Sequence, residues 1–217
     1  MILKKFTGYI KIKPIYALLC ASIVFGSVFV DFITKKLVML TMTVGESITL
    51  IKGVLNLTYI TNDGAAFGSF SEHRWVFMTL SSIMIVGLIV VILIWDRPKP
   101  TFYVGTSLAL GGGIGNMIDR IAYGTVVDFI DFCAFPEIWC WIFNGADSFV
   151  CVGAAILVIY YITDFAITSV KTQQVAADVA AAEQENSVSE EASDLSADAE
   201  CDSEAEEKDN TTEGGKQ

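Results

Sequence analysis

Histidine is nearly absent: His73 is the single one among 217 residues. That scarcity excludes much. No cluster of histidine and cysteine stands ready to hold zinc, and no Ser–His or Cys–His partnership offers a nucleophile with its base. His73 adjoins Arg74 at the edge of an apolar run, where an interfacial polar role accounts for it. The five cysteines do not read as a disulfide scaffold. Cys20 and Cys151 fall in apolar runs and pack as small apolar residues; Cys201 lies in a polar C-terminal stretch; Cys133 and Cys140 share one segment and could pair only in an oxidising compartment. A phosphate-binding glycine loop is missing too, since Gly113-x-Gly115 lacks the third glycine and follows no strand.

A basic surplus is also lacking. The net charge is −11, unevenly spread: residues 172–217 carry fourteen acids and two lysines, whereas residues 1–171 carry eleven acids and twelve basic residues. An acidic tail on a near-neutral body argues against nucleic-acid binding. The tail has almost no large apolar residues and cannot offset its ordering entropy, so residues 172–217 are expected to be a disordered acidic cytoplasmic segment.

Apolar runs are what the chain has in quantity. It is 53% hydrophobic, with a mean hydropathy of +0.54. Four uncharged runs approach or reach the ~20 residues that a spanning helix needs: residues 14–30, 75–95, 101–118 and 148–163. The second has tryptophan at each end, as interfacial anchoring favours. Lys4, Lys5, Lys11 and Lys13 precede the first run as they would a cleavable signal, but the run is long and no A-x-A-like site follows, so it reads as an anchor. The chain divides into a basic N-terminus (1–13), a membrane domain (14–171) and the tail (172–217). Four spans put both termini on one side, and seven basic residues there against five opposite favour the cytoplasm. On the outer side, "ESITLIKGVLNLTYIT" reads as short strands on the membrane surface. The aromatic-rich residues 120–144 read as an interfacial stretch dipping into the headgroups.

Ionisable groups in or beside spanning segments are costly, and so are functional candidates. Asp31 and Lys35, four apart, share a helix face as an ion pair. Asp119 and Arg120 close the third helix after "GGGIGNMI", whose glycines suit close helix packing; adjacent on a helix, they reach different partners. Asp131 and Asp63 lie nearby. Asp147 would head the fourth helix, where the macrodipole favours a carboxylate. Asp128, in "VVDFIDF", has no comparable structural excuse. If Asp128 and Asp147 meet in a poorly hydrated site, repulsion raises one pKa and the pair holds one proton, the arrangement with which two carboxylates activate water against a peptide bond.

Five stretches occur in order: "DFITK" (31–35), "NDGAAFG" (62–68), "GNMIDR" (115–120), "VVDF" (126–129) and "FNGAD" (143–147). Together, over residues 14–168, they closely resemble the lipoprotein signal peptidases (signal peptidase II), bacterial intramembrane aspartic endopeptidases. Gly145 stands where that family usually has an aliphatic residue. The resemblance implies a membrane all-α fold of four transmembrane helices with a small extracytoplasmic β-rich cradle. It implies a multi-pass protein of the bacterial inner membrane, cytoplasmic at both termini, with its active site near the outer face. The catalytic acids fall on Asp128 and Asp147. Asn62, Gly64, Asn116, Arg120 and Asn144 match positions that line or support the site; Asp31, Lys35 and Asp119 match structural ones. Neither a metal nor a cofactor is implied. The implied substrate is a prolipoprotein whose lipobox cysteine carries diacylglycerol, cut before that cysteine, and the implied inhibitor is globomycin. A lipid-open site within one chain suggests a monomer.

A small proton-coupled transporter or channel is the competing reading, since membrane acids also serve as proton relays. Against it, the acids gather at one boundary and no inverted repeat is visible. A plain anchor displaying an acidic tail leaves the five stretches unexplained.

Overall fold

The computed structural model describes residues 12–63, 74–95, 99–135 and 141–209, with side chains described up to residue 179 and not for Arg74. The expectations for Gly64, His73, Cys140 and the lysines at 4, 5 and 11 lie outside the described residues. Four helices and four strands follow in the order α1 (Pro14–Thr41), β1 (Ser47–Ile51), β2 (Leu55–Asn62), α2 (Arg74–Ile94), α3 (Pro100–Ala122), β3 (Val126–Phe132), β4 (Ile142–Phe143) and α4 (Gly145–Asp209). By contact the chain forms two units, Met1–Tyr161 and Ile162–Gln217. The first holds the sheet and everything that positions the site.

Both α1 and α3 begin at proline, whose fixed φ and missing N–H suit the first helical turn. α1 does not stop at residue 30, where its uncharged run ends. It carries Asp31 and Lys35 inside a continuous helix, because both charges find buried partners. Among the described residues, three helices are long and apolar enough to cross a membrane: Pro14–Thr41, Trp75–Ile94 and, within α4, Gly145–Val179. The third expected span, α3, has the length but not the apolarity. Fourteen of its 23 residues are buried, among them Thr106, Ser107, Asn116 and Asp119. A helix covered by its neighbours can carry polar groups that lipid would not tolerate. α2 is the converse, with Trp75, Leu80, Ile83 and Val86 all exposed.

The sheet is antiparallel, in the order β1-β2-β3-β4. The chain enters it from the ends of α1 and α3 and leaves it toward the starts of α2 and α4, so it caps one end of the helices. Strands β1 and β2 answer the expectation of short strands. β3 does not answer the expectation for residues 120–144: "VVDFIDF" is a central strand, not a dipping loop, as its β-branched and aromatic content favours. Gly124, at φ +82°, makes the turn from α3 into β3. Val38 of α1 and Met42 just after it pack with Tyr59, Val127 and Phe129 of the sheet. At the other end of the helices, Cys20, Ile92, Phe102, Tyr103, Leu110 and Tyr160 form a second core, with Tyr16 stacked on Tyr103 at 4.6 Å.

The tail departs from expectation. α4 continues to Asp209, so residues 172–209 are helical where low hydrophobicity predicted disorder. Alanine and glutamate, frequent in "AADVAAAEQE", are strong helix formers, and a helix needs no buried core to satisfy its backbone.

α3 lies close enough to α1 and α4 that a Cβ on Gly115 would stand 2.6 Å from Asp31 Oδ2 and 3.2 Å from the Ala146 Cβ. Gly115→Ala should therefore displace the Asp31 carboxylate and destabilise the protein by about 1–3 kcal/mol. Thermal unfolding in detergent checks this; an unchanged midpoint contradicts the packing described here.

Candidate active site

The site begins with the cap of α4. Asn144 precedes the helix, and its Oδ1 accepts the backbone N–H of Asp147 at 3.0 Å. Asp147 Oδ2 accepts the backbone N–H of Asn144 in return, at 3.2 Å. This reciprocal exchange satisfies two of the N–H groups that a helix start leaves open, and it places a carboxylate at the positive end of the helix dipole. Asp147 is thus a first-turn acid, as expected from sequence, while Asn144 is the cap.

The sheet brings Asp128 to the same place. Ile130 of β3 lies opposite Phe143 of β4, so the chain leaves β4 next to the part of β3 that carries Asp128. Asn144 Nδ2 donates to Asp128 Oδ1 at 2.6 Å and to Asn116 Oδ1 at 3.1 Å. Asn62, at the end of β2, donates to Asp128 Oδ2 at 2.9 Å. Asn116, on α3, donates through Nδ2 to Asp147 Oδ1 at 2.7 Å. One asparagine, Asn144, therefore touches both acids, and a second, Asn116, closes the loop between them.

Lys35 supports this network from α1. Its ammonium lies 2.8 Å from Asp31 Oδ2 and 2.9 Å from Asp119 Oδ2, and donates to Asn116 Oδ1 at 3.0 Å. Asp31 and Lys35, only 1% and 2% exposed, are more than the helix-end pair expected from their spacing. Asp31 Oδ1 accepts the Ala146 N–H at 2.7 Å, and Asp119 Oδ2 accepts the Val127 N–H at 3.2 Å. The trio thereby joins α1 and α3 to the start of α4 and to β3. Asp131, on the sheet, is occupied elsewhere, by Thr58 and Asn56.

The two acids differ in surroundings. Asp128 is 1% exposed and lies on β3, outside the spanning helices. Burial, reinforced by the charge of Asp147, pushes its carboxyl up to about 6 against the lowering effect of the Asn62 and Asn144 hydrogen bonds. Asp147 is only half-buried and borders a cleft of about 240 Å³. Asn116, Arg120 and Asp147 form the cleft's polar end; Ser81, Met84, Gly113, Val150 and Cys151 form the rest of the lining. Arg120 donates to the Asn116 carbonyl at 3.3 Å. Asp128 does not line the cleft and is tied to it through Asn144 and Asn116. Among the described residues no cluster of histidine, cysteine and acids is arranged for a metal.

Sequence reasoning from the residues alone found the two acids but not the asparagines between them, which came only from the family resemblance. The local signal was there in "NGAD": a capping residue followed three places later by an acid is a helix-start signature.

The sequence pattern of the family described as signal peptidase (SPase) II matches residues 23–163, a span that includes every residue of this network. Over 133 residues the chain is 40% identical to the lipoprotein signal peptidase of Halothermothrix orenii, which covers 61% of this chain and 88% of that protein. Over 137 residues it is 42% identical to that of Halalkalibacterium halodurans, covering 63% and 87%. Among solved structures it is similar to a bacterial membrane enzyme determined by the in meso method at 2.3 Å. The TM-score is 0.63 and the identity 33%, with 68% of this chain and 89% of that one covered.

The raised carboxyl of Asp128 has a consequence for stability. The folded protein holds this proton more tightly than the unfolded chain, so Asp128 makes the fold less stable as pH rises from about 4 to about 6. Across that window the loss is on the order of 3 kcal/mol. Asp128→Asn should flatten it and raise the unfolding midpoint at pH 7. A variant that follows the wild-type pH curve contradicts the buried placement of this acid.

Proposed function

The chain belongs to the signal peptidase II family and is a peptidase, and on that premise we propose that it removes the signal peptide from prolipoproteins by cutting before a diacylglyceryl-modified cysteine, with Asp128 and Asp147 as its catalytic pair. The observation that carries this reading is the Asn144 side chain and backbone, which join the buried Asp128 carboxylate to Asp147 at the cleft.

The chemistry follows from two acids sharing one proton. The ionised carboxylate takes a proton from water as its oxygen attacks the peptide carbonyl. The protonated partner gives its proton to the carbonyl oxygen, forming a neutral tetrahedral gem-diol. As that species collapses and its C–N bond breaks, a hydroxyl proton returns to the partner and the first acid passes the proton it took from water to the departing amine, which becomes the new N-terminus at the cysteine, so the pair ends as it began. Asp128, buried and raised, suits the proton-holding role; Asp147, at the cleft, suits the water-activating one. Arg120, at the same end of the cleft, is positioned to hold a substrate carbonyl. The apolar surfaces of α2 and α4 suit acyl chains in the surrounding lipid.

The wider reading has α3 as a fourth span, surrounded by the three apolar helices. The termini face the cytoplasm of a bacterial cell and the sheet lies on the outer face of its inner membrane. A single chain is the working unit, and globomycin is expected to compete for the substrate cleft.

Purified protein should cut a diacylglyceryl-modified lipobox peptide before the cysteine, as read by mass spectrometry, and globomycin should inhibit it. Asp128→Asn and Asp147→Asn should each lower kcat by at least about 10²–10⁴-fold while remaining folded. Near-wild-type cleavage by either variant contradicts the pair, and ion flux in liposomes without cleavage supports the transporter instead. Truncation after Lys171 should leave cleavage largely intact; its abolition in a properly inserted protein assigns residues 172–217 a role this reading lacks.

A further inference from the structure

The reading above needs Asp147 to meet a hydrogen-bond donor, and an asparagine side chain can present either of two atoms. Asn116 presents Nδ2 to Asp147 Oδ1 at 2.7 Å. A half-turn of its amide would set oxygen against oxygen there. What fixes the orientation lies at the amide's other end. Lys35 approaches Asn116 Oδ1 at 3.0 Å, and an ammonium has three donors and no acceptor. Reversing the Asn116 amide would bring an N–H₂ group against it. The second N–H of Asn144 also points at Asn116 Oδ1, at 3.1 Å, but Asn144 is itself fixed, since its own oxygen caps the Asp147 N–H.

We propose that Lys35 is a positioning residue of the peptidase site: its buried ammonium, held between Asp31 and Asp119, locks the Asn116 amide so that an N–H faces Asp147. The proposal rests on the catalytic reading of Asp147. Lys35 makes no described hydrogen bond to either acid of the pair; its charge favours the ionised Asp128 from a distance, and its positioning of Asp147's partner runs through Asn116. Its three partners use its three donors, one each for Asp31, Asp119 and Asn116. One acid would suffice to neutralise it. The third bond goes to the amide that reaches Asp147, and it places the end of a long, flexible side chain within a fixed triangle.

A solely structural Lys35 would serve as the counter-charge for Asp31 and Asp119 and nothing more. The two roles separate in a double-mutant cycle. Lys35→Met combined with Asp31→Asn leaves the net charge of the buried trio unchanged while removing the ammonium from Asn116. Combined with Asn116→Ala, it completes the cycle. The readouts are kcat and KM for the diacylglyceryl-modified lipobox peptide, with binding of a non-cleavable lipopeptide reporting the fold. If Lys35 acts through Asn116, each arm lowers kcat by about 10²-fold, KM moves little, and the combined variant is no slower than Asn116→Ala alone. If the losses in kcat multiply, or if only KM and thermal stability change, the proposal is overturned. Should the Lys35→Met/Asp31→Asn protein not bind lipopeptide, Lys35→Gln replaces it in the cycle. Its amide can both donate and accept and so does not fix Asn116, and the same lack of multiplication is expected. Failure of the wild-type protein to cut the peptide would instead count against the peptidase reading itself.

Discussion

A charge placed within a membrane helix bundle has little water to turn to, so it must find its partners in the protein. Lys35 is the clearest case here. It sits in the middle of neither a loop nor a helix end but within α1, and it is compensated by one acid from its own helix and one from α3. Those two acids then spend their second bonds on the backbone, Asp31 at Ala146 in the first turn of α4 and Asp119 at Val127 in β3. The consequence is positional. Asp128 is one residue beyond Val127, and Asp147 one residue beyond Ala146. A buried ion cluster is weak support for stability, because desolvation offsets most of its Coulomb energy. It is strong support for register, because each partner left alone would be a buried unpaired charge.

From that register the differing environments of the two acids follow. Asp128 is on a central strand with an asparagine at each carboxyl oxygen and almost no exposure. Asp147 is on the first turn of a helix and borders the cleft. Pairs of acids whose surroundings push their titrations apart are the usual basis for dividing acid and base roles. In the proposed mechanism the division comes from the fold alone, with the sheet enclosing one carboxyl and a helix start presenting the other.

Much of this was legible in the sequence, for physical reasons that differ by element. α2 stands out because most of its surface is apolar and exposed, with only one side packed on α3, so its composition follows its surroundings. α3 was expected as a span and is found as a long helix of lower apolarity, because much of what surrounds it is protein, and burial against neighbours leaves no hydropathy signal of its own. β3 was missed because two acids interrupt a strand otherwise rich in valine and phenylalanine, and a strand buried on both sides has no clean alternation. Asp128 and Asp147 were found through their cost. Asn116 and Asn144 are uncharged, carry no comparable cost, and were visible only through the family resemblance; their meaning lies in contacts 28 residues apart in the chain. The helical course of residues 172–209 was lost because composition was read for burial and not for helix propensity.

The central claim is that two carboxyls share one proton across Asn144 and work as a unit. The pH dependence of kcat/KM for the lipidated peptide tests it most directly. The account predicts a bell-shaped profile, falling in acid as the second proton is bound and falling in alkali as the shared one is lost, with both limbs belonging to the pair. A rate that rises through a single ordinary carboxylate titration and then stays level into alkali would contradict it, since one acid would then suffice.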